Sequence, residues 1–101
     1  MPVRIPGHRE EDPLEAYVLI QTELDRGPIA EPLRGIPGVL SAEDLTGAFD
    51  AIVLARSDST SSLTEQILGR IRALPGVIRA LAAPLIGSIG EPALAGQVEA
   101  A

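Results

Sequence analysis

The sequence predicts an α+β domain in the order βαββαβ, and three observations carry that prediction. Strand-type and helix-type apolar spacings alternate along residues 15–87. The segment LRGIPGVLSA at 33–42 returns as IRALPGVIRA at 71–80, an offset of 38 residues. Each copy reads as a helix end, a Pro-Gly turn and a strand start. Two βαβ halves with right-handed crossovers, each leaving room for a strand between, interleave as a four-stranded antiparallel sheet with both helices on one face, the ferredoxin-like arrangement.

The first strand is EAYVLIQT, from Glu15 to Thr22, apolar on both faces: Ala16, Val18 and Ile20 point one way, Tyr17 and Leu19 the other. GPIAEPLRGI then sets Ile29, Leu33 and Ile36 at helical spacing, with Gly35 at its end and Pro37 as its stop. Pro32 would remove a backbone bond from a helix begun at Pro28, so a late start or a distorted first turn is expected. Val39–Leu45 forms the second strand and FDAIVLAR, from Phe49 to Arg56, the third. The short Gly-containing link TGA between them suits a tight hairpin. In SDSTSS, Ser62 followed by Glu65 reads as a capping box. Leu63, Ile67, Ile71 and Leu74 lie within about 80° of one another on the helix that follows. Pro75 and Gly76 end it, and VIRALAAPLI supplies the fourth strand.

Residues 1–14 hold three prolines and a charge run without apolar periodicity and read as a flexible N-terminal arm; residues 88–101 read as a flexible tail. The folded unit is then 15–87. Because the helices cover one face only while strands one and three are apolar on both, a second copy packed sheet against sheet is the simplest cover. The expected state is a homodimer.

Composition narrows the functions. The chain has 101 residues, enough for one domain, and carries a net charge of −6 with no lysine. Residues 16–87 hold six arginines against eight carboxylates, and Tyr17 and Phe49 are the sole aromatics. Neither a basic face for phosphates nor a stacking platform for bases is available, so direct nucleic-acid binding is not expected. There is no cysteine, no signal-like apolar stretch and no run of about 20 apolar residues, which points to a soluble cytoplasmic protein.

The sharpest candidates for chemistry are Thr46, Gly47 and Asp50. A tight turn offers free backbone N–H and C=O groups, and the nearby carboxylate can take an α-ammonium group. The alternative is that Asp50 bonds N–H groups of its own turn. Glu43 and Asp44 alternate to opposite faces of an edge strand and read as solvated charge rather than an acid/base pair. His8 stands alone in the arm, so neither a His-centred catalytic site nor a multi-His metal site is expected, and no cofactor is implied. The hydroxyls of SDSTSS have no partnered base and read as a helix-capping loop.

From Ala16 to Ser88 the chain resembles the effector-binding (RAM) domain of Lrp/AsnC transcription regulators. The resemblance is carried by AYVLIQTE, IPGVLSAEDLTGAFDAIVLA and LPGVIRALAAPLI in the family's order and spacing, with a P-G-V turn after each helix and a T-G-x-aromatic-D hairpin. It implies a sensor of small molecules, usually amino acids, that forms sheet-packed dimers and rings of dimers, with effector contacts at Thr46, Gly47, Phe49 and Asp50. The family's helix-turn-helix precedes this domain, whereas fourteen residues precede strand one here, so a stand-alone effector domain able to co-assemble with a full-length regulator is expected. At the fourth-strand positions where the family presents hydroxyls toward the ligand, this chain has Ala80 and Ala82, which weakens or alters effector binding; Arg56 and Arg79 are candidate carboxylate partners. Two rival readings stay open: a structural oligomeriser without ligand, and a small dimeric enzyme limited to carboxylates, Tyr17 and arginine.

Overall fold

The computed structural model describes residues 12–85, so most of the two expected arms lies outside the described residues. The elements are β1 (Leu14–Thr22), α1 (Ala30–Arg34), β2 (Val39–Asp44), β3 (Ala51–Ser57), a helix α2 over 60–73 and β4 (Val77–Pro84). The strands form one antiparallel sheet in the order β2-β3-β1-β4. That is the ferredoxin-like topology that the repeat predicts.

The repeat is visible bond by bond. In the first copy Ile36 N donates to Leu33 O, Val39 N to Ile36 O, and Gly38 O accepts from Arg56 N. In the second, Leu74 N donates to Ile71 O, Val77 N to Leu74 O, and Gly76 O accepts from Glu23 N. Both turns need left-handed glycine, at φ +97° for Gly38 and +89° for Gly76. A Cβ at Gly38 would lie 2.7 Å from Ile67 Cδ1 and 2.9 Å from the Arg56 carbonyl oxygen. Gly38→Ala is expected to cost about 2–4 kcal/mol from backbone strain and overpacking together. Gly47, at φ +121°, would meet nothing within 4 Å, so Gly47→Ala carries strain alone. Thermal melts of the two variants check this: Gly38→Ala melts lower.

The core lies between the sheet and the helices. Ala16, Val18 and Ile20 of β1 and Ala51, Val53 and Ala55 of β3 are fully buried there, against Ile29, Leu33, Leu63 and Ile71 from the helical side. Tyr17, Leu19, Ile52 and Leu54 point to the other face and are only half-buried. In register, Ile52, Leu19 and Leu81 form one apolar row across three strands, and Leu54, Tyr17 and Ala83 a second.

Several local expectations are corrected. β1 begins at Leu14, one residue earlier than expected, because Leu14 pairs with Ser57 and is buried. α1, by contrast, starts late as expected, at Ala30, so that Pro32 falls in the first turn, where its missing N–H costs nothing. The link between β2 and β3 is not a tight turn over TGA. It runs from Leu45 to Asp50 and is closed by Leu45 N donating to Asp50 O, because Asp50 is bonded to β1 instead of opening β3.

The cap of α2 also differs from the expected capping box. Ser59 is the N-cap, and its Oγ accepts from Ser62 N at 3.0 Å, so Ser62 lies inside the first turn. Thr60, which follows the cap, is fully buried, and that burial draws the helix start three residues toward the N-terminus. Thr60–Ser62 and Gly69–Ala73 are α-helical, while Leu63–Leu68 is wound as a π-helix. The wider winding brings Leu68 to the core beside Leu63, Ile67 and Ile71. Leu74, expected on the helix, is its C-cap and packs half-buried against the core.

Candidate ligand site

Two loops meet at one end of the sheet: residues 23–28 after β1, and the β2–β3 loop. Asp50 joins them. Its backbone N–H donates to Ile20 O at 2.8 Å, and its Oδ2 accepts from Thr22 N at 2.7 Å. The carboxylate is thus tied to a strand 28 residues away rather than to its own turn. Among the described residues no donor takes Asp50 Oδ1.

Asp44 ties the same end together from the other side. Its Oδ1 accepts from Ile29 N at 2.8 Å and from Ala30 N at 3.0 Å, which satisfies two of the free N–H groups that open α1. The expectation that Asp44 is merely solvated edge charge is therefore wrong. Ile29 precedes the helix and has no side-chain acceptor, so the cap comes from β2. Glu43 is exposed as expected. Asp44→Ala should cost about 1 kcal/mol, the usual value of a lost N-cap, read as a lower melting temperature.

Between the loops is an open groove of about 550 Å³. Thr22, Thr46, Gly47 and Asp50 line it, together with Glu23, Asp25, Arg26 and Asp44. Its wall includes four carboxylates and one guanidinium, and that guanidinium is already committed. Arg26 Nε donates to Pro75 O at 2.8 Å and Nη1 to Pro28 O at 3.3 Å. The groove therefore favours a ligand that presents a cationic group. Three of its backbone positions have positive φ: Asp25 (+110°), Gly27 (+80°) and Gly47 (+121°). Asp25 is the one non-glycine in this state among the described residues, a conformation costing on the order of 1–3 kcal/mol that the surrounding structure must hold.

The structure therefore brings Thr46, Gly47 and Asp50 together and adds Thr22, Asp25, Arg26 and Asp44, which sequence reading did not place here. The turn-type run Asp25-Arg26-Gly27-Pro28 is the local sequence signal for this loop; the partners of Asp44 and Asp50 are set only by the fold. Phe49 is half-buried and does not line the groove. Ala80 is buried in the core opposite Ile20, and Ala82 packs against that core, so neither belongs to the groove. Arg79 pairs in register with Gln21, a lining residue. Arg56 lies at the other end of the molecule, in a second groove of about 470 Å³ with Asp58, Ser62 and Gln66. His8 lies outside the described residues. Among the described residues no His, Asp and Glu are grouped to hold a metal, and no helix is long and apolar enough to cross a membrane.

The fold is a ferredoxin-like α+β domain with an open groove at one end of its sheet, and comparison with known proteins gives its family. Residues 15–86 match the Lrp/AsnC ligand binding domain, and the chain belongs to that family. Among solved structures it is similar to FFRP-DM1, with 26% identity and a TM-score of 0.65 over 72% of this chain and 99% of that one. Hypothetical protein PHS023 from Pyrococcus horikoshii shows 25% identity and a TM-score of 0.63 over 78% of this chain and 96% of that one. The transcriptional regulator NMB0573 from Neisseria meningitidis, solved as a complex with L-Met, shares the fold at 21% identity and a TM-score of 0.66, over 90% of this chain and 60% of that one. No curated protein matches.

Proposed function

We propose that this chain is a non-enzymatic sensing and assembly module: an amino acid binds in the 550 Å³ groove, and a second copy covers the apolar face of the sheet. The observation that carries the reading is the Asp50 carboxylate, anchored through Oδ2 on Thr22 N while Oδ1 takes no protein donor among the described residues. An α-ammonium group bonds this oxygen, and the free backbone N–H groups around Thr46 and Gly47 donate to the α-carboxylate. L-Met in the solved complex of the Neisseria regulator supports an amino acid as the ligand class. The matched family supports a regulatory role, in which ligand occupancy changes which copies or partner regulators the module engages.

A thermal-shift screen against the free amino acids tests the reading. A ligand that binds the native state alone stabilises it by RT ln(1 + [L]/Kd), about 2.7 kcal/mol at a hundredfold excess over Kd. At least one amino acid should raise the melting temperature by roughly 10 °C at that excess. A flat response across the whole panel would leave the structural-oligomeriser reading in its place.

A further inference from the structure

The internal repeat preserves one arginine whose use the ligand site does not explain. Arg34, at the end of α1, donates from Nε and Nη2 to the Ala42 carbonyl of β2 at 3.2 and 2.8 Å. Arg72, 38 residues later on α2, donates from Nη2 to the Ala80 carbonyl of β4 at 3.2 Å. The two carbonyls are equivalent in the repeat, and β2 and β4 are the two edges of the sheet.

Both carbonyls point away from the sheet. On the β2 side, the Leu45 N to Asp50 O bond flanks the Asp44/Ala51 pair. Bonds are then exchanged by alternate pairs, and Ala42, two residues from Asp44, turns its polar groups outward. On the β4 side, Leu85 N donates to Glu15 O and so flanks the Pro84/Ala16 pair, and the same alternation turns Ala82 and Ala80 outward. Ile20, opposite Ala80, agrees: its carbonyl accepts from Asp50 on the β3 side. An outward carbonyl in mid-strand is the acceptor that an added strand would use.

We infer that Arg34 and Arg72 are paired edge guards, each occupying the outward carbonyl of its edge strand so that another chain cannot extend the sheet there. Each guanidinium arrives from the preceding helix and covers the strand that the same repeat begins. Contact between copies is thereby directed to the apolar sheet face and away from the edges. A bulge between Val39 and Ser41 in β2 adds to the same effect by breaking the regular ladder on that edge.

Three single variants, Arg34→Met, Arg72→Met and Arg70→Met, test this by light scattering and thermal melting at one protein concentration. Methionine keeps an unbranched stem and a good helix propensity, and both guard side chains belong to solvent-exposed residues. Each substitution removes one positive charge from a chain already at −6, which by itself opposes association. Arg70 is exposed on α2 and serves as the charge-matched control. The guards predict that Arg34→Met and Arg72→Met keep a cooperative melt, yet at least double in average mass relative to wild type and bind a cross-β dye, while Arg70→Met does neither. Two outcomes overturn the inference. One is an unchanged mass in both guard variants. The other is loss of the cooperative melt in both, which would make these arginines supports of the fold rather than guards of its edges.

Discussion

Asp50→Ala is expected to lower stability by about 1.5–3 kcal/mol, the range for a hydrogen bond to a charged group, because Thr22 N loses its acceptor at 2.7 Å. For a domain of this size that is a fall in melting temperature on the order of 10 °C. Asp50→Asn separates anchoring from binding. Its amide oxygen still accepts from Thr22 N, so most of the stability returns, whereas the charge that holds an α-ammonium group is gone. Amino-acid affinity should then drop about ten- to a hundredfold, at about 1.4 kcal/mol per tenfold. Calorimetric titration of wild type and Asp50→Asn, with a melt of each, reads both quantities. Equal affinities would take Asp50 out of the site and leave it a strand anchor.

The second large effect is on assembly. Leu19 stands in the middle of the outer apolar face, between Ile52 on β3 and Leu81 on β4. Leu81 is 39% exposed in the single chain, which a sheet-packed second copy would cover. A two-fold interface presents each residue twice, so Leu19→Arg places two unpaired charges in one contact. At about 2–4 kcal/mol for a central interface position, the substitution should weaken the dimer by roughly thirty- to seven-hundredfold. Light scattering should move from a multiple of 10.5 kDa toward 10.5 kDa, with the melt of the single chain preserved. Wild type already at 10.5 kDa would remove the sheet-packed dimer from the account.

Much of the fold was legible because its signals are local and repeated. The P-G-V turns need left-handed glycine, the period of two in AYVLIQT separates the two faces of β1, and the 38-residue offset fixes the two equivalent halves. What was missed depends on partners distant in sequence. Nothing near Asp44 says that its oxygen will cap a helix 14–15 residues earlier, and nothing near Asp50 says that its carboxylate will bond Thr22. The capping box at Ser62 and Glu65 fits the local rule, yet the buried Thr60 moved the helix start to Ser59. Ala80 shows the same limit: the resemblance implied a ligand contact, and the pairing of Ala80 with Ile20 puts it in the core instead. Within the site, the turn residues Thr46 and Gly47 were readable from their type, while the acidic wall of Glu23, Asp25 and Asp44 is assembled only by the meeting of two loops.

An amino acid bound at the Asp50 end of the sheet can be located by mapping which amides it perturbs. Amide shifts of isotopically labelled wild type are followed while the best amino acid from the thermal screen is titrated in. Saturable shifts are expected at Thr22, Asp25, Thr46, Gly47 and Asp50, with the amides of Arg56, Asp58 and Ser62 at the other end unmoved. Saturable shifts centred on the Arg56 groove, or none at the Asp50 end, would contradict that placement.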